Sequence, residues 1–180
     1  MRRRSATAAC AVLVTLPGAF AGTADAKDLH RARERAVSWA VAQAPHRERG
    51  TTNCSPRIDR WVRDMGLRVP PCRPWCGALI HQAFRRAGVR LSVRLIDPDR
   101  SYADAVARRR GLRAIAIGRV RKGDLLFFRF RAGLRASHVA LVRGTPKGGK
   151  VRTVEGNVAH AVRLKTRGLR YAVLAARVVG

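Results

Sequence analysis

Hydrophobic residues in the first half of the chain recur at helical spacing, whereas those in the second half form short, strand-like runs. Segments 28–44, 55–66 and 76–88 each carry apolar residues three or four positions apart, which predicts three amphipathic helices. A fourth, shorter helix is expected from Ser101 to Arg109. The first half of the chain is therefore predicted to be helical.

From residue 123 onward, four short runs are rich in Val, Leu, Phe and Tyr, and turns containing Gly, Pro or Lys separate them. These runs are GDLLFFRF, SHVALVRG, KVRTVEGN and LRYAVLAARVV. Their composition and length predict strands. Because the strands follow the helices without alternating with them, the pattern predicts one α+β domain over residues 27–180, with N-terminal helices packed on an antiparallel sheet.

The third helix cannot begin before Trp75, because Pro70, Pro71 and Pro74 lack a backbone donor and restrict the residues that precede them. Cys76 therefore falls in the first turn of this helix. There the unsatisfied N–H groups and the helix dipole favour a thiolate, which is the nucleophilic form. The same N–H groups can bind the oxyanion that forms when a carbonyl is attacked. The alternative is a buried, inert cysteine, which is common for this residue type.

The first 26 residues have the order of a secretory signal peptide. Arginines occupy positions 2–4, an uncharged and mostly apolar stretch covers 6–21, and the small-residue pattern Ala24-Asp25-Ala26 follows. This order predicts cleavage after Ala26 and export from the cell. The apolar stretch is too short to span a membrane and is interrupted by Pro17-Gly18, so the exported chain is expected to carry no membrane span.

The chain is strongly basic, with 38 Lys and Arg residues against 11 Asp and Glu residues and a formal net charge of +27. Such a charge favours contact with polyanions, including anionic cell-wall polymers. The basic residues are spread along the chain, without the single tract or interleaved aromatic residues typical of a nucleic-acid groove. No specific nucleic acid is therefore predicted, and a compositional preference for Arg explains the charge equally well.

Three cysteines, Cys54, Cys72 and Cys76, remain after removal of the signal peptide. A metal site with Cys72, Cys76 and His81 would lack a fourth ligand, so neither a metal nor another cofactor is expected. A disulfide between Cys72 and Cys76 would close a very small loop. A disulfide between Cys54 and Cys72 closes a longer loop and gains more by restricting the unfolded chain, which leaves Cys76 reduced.

A cysteine nucleophile needs a base, and the base needs a partner that orients it. His138 lies near the start of one predicted strand, and Glu155 and Asn157 lie near the end of the next. Residues two apart on a strand share a face, so both side chains are expected to reach His138, and either can fix its tautomer. Among the histidines of the exported chain, His138 is the one with suitable neighbours.

Four segments, RPWCGALIHQAFRRAGV, KGDLLFF, SHVALV and VEGN, resemble in order and spacing the cysteine, histidine-dependent amidohydrolase/peptidase family, called CHAP. The resemblance covers Asn53 to Val162. It implies a papain-like cysteine hydrolase fold and cleavage of peptidoglycan, with Cys76 as the nucleophile and His138 as the general base. Glu155 and Asn157 would complete the catalytic set.

The sequence therefore predicts a secreted, monomeric peptidoglycan amidase or endopeptidase. Trp75 and Tyr102 are expected either to line its substrate cleft or to pack in the core. A close variant is an NlpC-type endopeptidase, although that type usually follows its histidine with another histidine or a similar polar partner instead of Glu-x-Asn. The alternative from a different class is a non-catalytic, basic protein that binds cell wall or nucleic acid on the same scaffold.

Overall fold

The computed structural model describes residues 26–66, 70 and 72–179. Within these residues, four helices and a six-stranded antiparallel sheet confirm the predicted α+β class. The helices are α1 (Ala26–Ala42), α2 (Pro56–Arg63), α3 (Cys76–Arg86) and α4 (Pro98–Val106). The strands are β1 (Leu112–Ile115), β2 (Leu125–Phe128), β3 (His138–Val142), β4 (Lys150–Val158), β5 (Ala161–Gly168) and β6 (Ala172–Val178). The predicted signal peptide lies outside the described residues, except for Ala26 at the start of α1.

The sheet has the strand order β1-β6-β2-β3-β4-β5, and every neighbouring pair is antiparallel. Helix α3 packs against β3 and β4, and α1 packs against α3. The first turn of α3 therefore lies next to the two strands that carry the candidate histidine and carboxylate. No helix in the described part of the chain is long and apolar enough to cross a membrane.

Helix α4 begins earlier than the sequence predicted. Asp97 is its N-cap, and the Asp97 side chain accepts hydrogen bonds from the backbone N–H groups of Asp99 and Arg100. Pro98 occupies the first turn, where its missing N–H group costs nothing. Ser101 lies inside the helix and donates to the carbonyl of Asp97, so the predicted start of this helix at Ser101 is wrong.

Gly156, in the middle of β4, permits close packing between the sheet and the segment that precedes α3. A Cβ atom at this position would lie 2.8 Å from the ring of Trp75 and 3.1 Å from the Cβ of Leu79. Trp75 is fully buried, so its ring has no open space into which to move. The absence of a side chain at Gly156 therefore sets how closely the sheet approaches Trp75.

Gly156→Ala is expected to lower the free energy of unfolding by about 1–3 kcal/mol, because the added methyl group overpacks the contact with Trp75. Urea denaturation of the wild type and the variant measures this difference. Gly118→Ala is the matched control, since a Cβ atom there meets nothing within 4 Å. Equal stability of the two variants would contradict the prediction.

Candidate active site

Cys54 and Cys72 form a disulfide across a sequence separation of 18 residues. This is the pairing that the sequence favoured over a bond between Cys72 and Cys76. Because Cys72 is bonded to Cys54, it is not available as a ligand for a metal site with Cys76 and His81. Among the described residues no group of three or more His, Cys, Asp or Glu is placed to hold a metal ion, and Cys76 is the free cysteine.

Cys76 is the first residue of α3 and is 3% exposed. Burial by itself raises the pKa of the thiol. The hydrogen bond and the charge of His138, together with the backbone N–H groups of Val139 and Gly77, outweigh burial, so the pKa of Cys76 lies below its ordinary value. The site therefore favours the thiolate paired with a protonated imidazole.

His138 is the first residue of β3 and lies between Cys76 and Glu155. Its Nε2 atom is 2.9 Å from Oε2 of Glu155, which leaves Nδ1 to face the thiol. Burial lowers the pKa of the ring, but the interactions with Cys76 and Glu155 raise it to about 9. At neutral pH the imidazole therefore holds a proton that it can donate.

Glu155 is fully buried on β4 and is held by several donors. Thr153 Oγ1 donates to Oε1 at 2.5 Å, and Arg167 donates to both carboxylate oxygens at 2.9 and 2.6 Å. Burial raises the pKa of this carboxyl, but the bonds from Arg167, His138 and Thr153 lower it to about 2. Glu155 is therefore ionised over the physiological range and can orient His138 and stabilise its charge.

Arg167, on β5, is a member of the site that was not predicted from the sequence. In addition to the two bonds with Glu155, its guanidinium lies 5.5 Å from the ring centroid of Phe128 and 5.6 Å from that of Phe130. One arginine among many carries no distinctive sequence signal. The register of the β4–β5 pair would have located it. Arg167 pairs with Val151, and Val151 lies on the same face of β4 as Glu155, so Arg167 and Glu155 share one face of the sheet.

Asn157 makes no hydrogen bond with His138, so the prediction that both residues of the Glu-x-Asn motif reach the ring is wrong for Asn157. The β4–β5 ladder shifts register between Glu155 and Val158, and Asn157 has a φ of 59°. The bulge breaks the two-residue alternation of the strand. The Asn157 side chain instead lines the cleft and donates to Oδ1 of Asn53 at 3.0 Å.

Glu48 is a second buried carboxylate near the site, and it was not predicted from the sequence. Its side chain is fully buried and accepts from Trp75 Nε1 at 2.8 Å and from the backbone N–H of Asn53 at 2.9 Å. His160 Nδ1 is 3.1 Å from the same carboxylate. Glu48 therefore fixes Trp75, the residue before the nucleophile. Glu48 stands between two arginines in the sequence, and nothing in this local pattern indicates its burial.

An open cleft of about 550 Å³ lies over Cys76 and His138. Asn53 and Asn157 form part of its wall, and two cationic residues, Arg73 and Arg131, also line it. The remaining lining residues come mainly from the start of α4 and the β2–β3 loop: Pro74, Ile96, Asp97, Pro98, Asp99, Phe130, Leu134, Ala136 and Ser137. The cleft therefore carries both charged and apolar surfaces.

Neither Trp75 nor Tyr102 is among the residues that line this cleft. Trp75 is fully buried, with its ring 6.0 Å from that of Trp61, and Tyr102 packs half-buried against the hydrophobic core. The alternative of core packing therefore holds for both residues. The aromatic side chain that the cleft does present is Phe130, which is 59% exposed.

Comparisons with known proteins do not place the chain in a family. No protein-family model matches the sequence, and no curated protein matches it. The crystal structure of Ly7917 aligns with a TM-score of 0.47 and 13% sequence identity, over 83% of this chain and 62% of that chain. The chain thus spans less than two thirds of that structure. A similarity this distant establishes neither the papain-like fold nor a function.

Proposed function

We propose that the protein is a secreted cysteine hydrolase of the CHAP type, with a papain-like fold, that cleaves amide bonds of bacterial peptidoglycan. The observation that carries this proposal is the line of contacts from Cys76 through His138 to Glu155, placed at an open cleft. Nucleophile, base and orienting carboxylate are the groups that acyl transfer through a thiolate requires. The Cys54–Cys72 disulfide is consistent with an oxidising compartment outside the cytoplasm.

In the first half of the reaction, the Cys76 thiolate attacks the carbonyl carbon of the substrate amide. Backbone N–H groups in the first turn of α3 stabilise the oxyanion of the tetrahedral intermediate. The His138 imidazolium then donates its proton to the leaving amine, and a thioester with Cys76 remains. Glu155 stays ionised and holds the ring in place throughout.

In the second half, neutral His138 removes a proton from a water molecule that attacks the thioester. Collapse of the second tetrahedral intermediate releases the carboxylic acid and restores the thiolate beside the imidazolium. Each cycle therefore consumes one water and one amide bond and produces one amine and one acid. All proton transfers in this scheme pass through His138.

Product analysis tests the proposal directly. Purified protein is incubated with defined peptidoglycan, and the soluble products are analysed by mass spectrometry. In a separate experiment, the protein is treated with iodoacetamide, and labelling of Cys76 is mapped by peptide digestion. We expect fragments with new amino and carboxyl groups, together with labelling of Cys76 below the pH at which an ordinary thiol reacts. No released fragment, no labelling and salt-dependent binding to polyanions would instead favour the non-catalytic binding protein.

The cleft charges predict a preference for substrates with a carboxylate near the scissile bond. Arg73 and Arg131 line the cleft, and guanidinium groups bind carboxylates with charge-assisted hydrogen bonds. The two carboxylates that also line the cleft are already engaged, Asp97 as the cap of α4 and Asp99 by Arg135. Arg131→Gln is expected to raise KM for a carboxylate-bearing peptide about three- to tenfold with little change in kcat. Steady-state kinetics on this peptide and on its carboxamide analogue measure the effect.

Arg129→Gln is the control for this prediction, because Arg129 is exposed on the same β2–β3 loop but does not line the cleft. It should leave KM unchanged for both peptides. A similar rise in KM for the carboxylate and the carboxamide substrates of the Arg131→Gln variant would argue against recognition of the carboxylate.

A further inference from the structure

A second pocket, of about 230 Å³, lies between α1, the turn before β2, and β6. It is lined by His30, Arg33, Arg121, Lys122, Asp124 and Arg177. It shares no lining residue with the cleft at Cys76. Four of its six lining residues are cations at neutral pH, which distinguishes it from the mixed surface of the cleft.

The single carboxylate that lines this pocket is already engaged. Asp124 is fully buried and accepts two hydrogen bonds from Arg177, at 2.8 and 2.7 Å, and one from the backbone N–H of Arg121 at 2.8 Å. Arg33 donates through Nη2 to the carbonyl of Val178, while its Nε atom is sealed from solvent and has no hydrogen-bond partner. The half-buried Arg33 guanidinium therefore lacks a carboxylate bonded to it.

Further positive charge surrounds Arg33. Arg113 and Arg177 are directly opposite each other on β1 and β6, an arrangement of like charges that destabilises a sheet. Burial lowers the pKa of Arg33; Asp124 opposes this effect, and Arg177 and Arg113 lower the pKa further. The pocket thus holds more positive charge than Asp124 can balance.

The turn before β2 packs directly against Arg33 of α1. Gly123 has a φ of 88°, and a Cβ atom there would lie 2.4 Å from the Cβ of Arg33. Lys122, next to it, lines the pocket and makes an ion pair with Glu34 at 3.5 Å, which is exposed and therefore weak enough for a ligand to replace. The cations therefore converge on the pocket from a helix, a turn and a strand.

We infer that this pocket binds a phosphoryl group, supplied either by inorganic phosphate or by a phosphodiester of an anionic cell-wall polymer. Guanidinium forks match phosphate oxygens in geometry, and cations on several sides suit a tetrahedral oxyanion better than a planar carboxylate. The pocket volume accommodates one such group. Bound to a polymer, the pocket would hold the protein on the cell wall while leaving the separate cleft free.

Calorimetric titration at constant ionic strength tests the inference, with inorganic phosphate and a short poly(glycerol phosphate) as probes. We expect saturable binding that Arg121→Gln/Lys122→Gln weakens by about tenfold or more, because two charge-assisted contacts are lost. Arg63→Gln, which removes an exposed charge on α2, is the matched control and should bind like the wild type. Thermal unfolding verifies that each variant is folded.

The two probes distinguish the source of the ligand. Tighter binding of the polymer than of inorganic phosphate at equal phosphate concentration identifies a phosphodiester polymer, whereas equal affinity identifies free phosphate. The inference is overturned if neither probe saturates, if the double variant binds like the wild type, or if Arg63→Gln weakens binding as much. Because Cys76→Ala leaves the pocket intact, that variant should retain phosphate binding whether or not the protein proves to be a hydrolase.

Discussion

Cys76→Ala is expected to lower the rate of peptidoglycan cleavage by at least about 10³-fold, because the substitution removes the atom that forms the bond to the substrate. The fold should survive, since alanine is smaller than the buried cysteine and leaves the Cys54–Cys72 disulfide in place. The release of soluble fragments per unit time measures the activity. Urea denaturation measures the stability of the same preparations.

Cys76→Ser is the companion variant. It keeps a side chain of similar size and a hydrogen-bonding group at the start of α3, but an alcohol does not ionise near neutral pH as the thiol does. Both variants should therefore be inactive and neither should react with iodoacetamide at position 76. Wild-type rates in a folded Cys76→Ala protein would reject the proposed role of the thiolate.

The parts of the site that could be predicted from sequence are those fixed by local rules. Ser55 accepts a hydrogen bond from the backbone N–H of Ile58, and Pro56 occupies the first turn of α2, as a serine–proline pair at a helix start predicts. In the same way, Pro74 keeps the chain out of a helix until Cys76. Local backbone chemistry thus places the nucleophile at the start of α3.

The parts that could not be predicted depend on contacts distant in sequence. Strands β1 and β5 are the two edges of the sheet, and β5 is mostly polar after its first two residues, so it lacks the apolar run that marks a central strand. Strand β5 is therefore not among the predicted strands, and Arg167, which lies on it, could not be assigned to the site from the sequence. The bulge at Asn157 depends on how β4 pairs with β5, and the burial of Glu48 depends on Trp75, so neither feature is visible in its own segment.

Glu155→Gln is expected to lower the rate of cleavage by about 10²- to 10⁴-fold, where the upper value is the loss caused by neutralising the carboxylate of a Ser-His-Asp triad. The amide keeps the shape of the side chain but loses the negative charge that helps raise the pKa of His138 to about 9. The folded protein should also lose about 1–3 kcal/mol of stability, because the partly buried Arg167 guanidinium is left without its counter-ion.

The pH dependence of the rate distinguishes this electrostatic role from a purely structural one. In the wild type, activity should rise as Cys76 ionises, at a pH below that of an ordinary thiol, and fall as His138 loses its proton at a pH of about 9. The raised pKa of His138 means that protonation is favoured in the folded site, so removal of the Glu155 charge must move the alkaline limb to lower pH. An unchanged alkaline limb in Glu155→Gln would contradict this assignment.

Arg167→Met separates the charge of Glu155 from the packing around it. Arg167 contacts Glu155 and the aromatic rings, and its loss removes the first of the interactions that hold the pKa of Glu155 at about 2, so that pKa should rise. The carboxylate still faces His138 and remains ionised near neutral pH, so activity there should fall much less than in Glu155→Gln.

The double variant Glu155→Gln/Arg167→Met completes a double-mutant cycle for this ion pair. It should regain stability relative to Glu155→Gln, because no unpaired guanidinium remains, yet it should be no more active than that single variant. Recovery of stability without recovery of activity would identify Glu155 as the group that supports the charged imidazole and Arg167 as a residue that acts through it. Recovery of both would mean that Glu155 serves the fold alone.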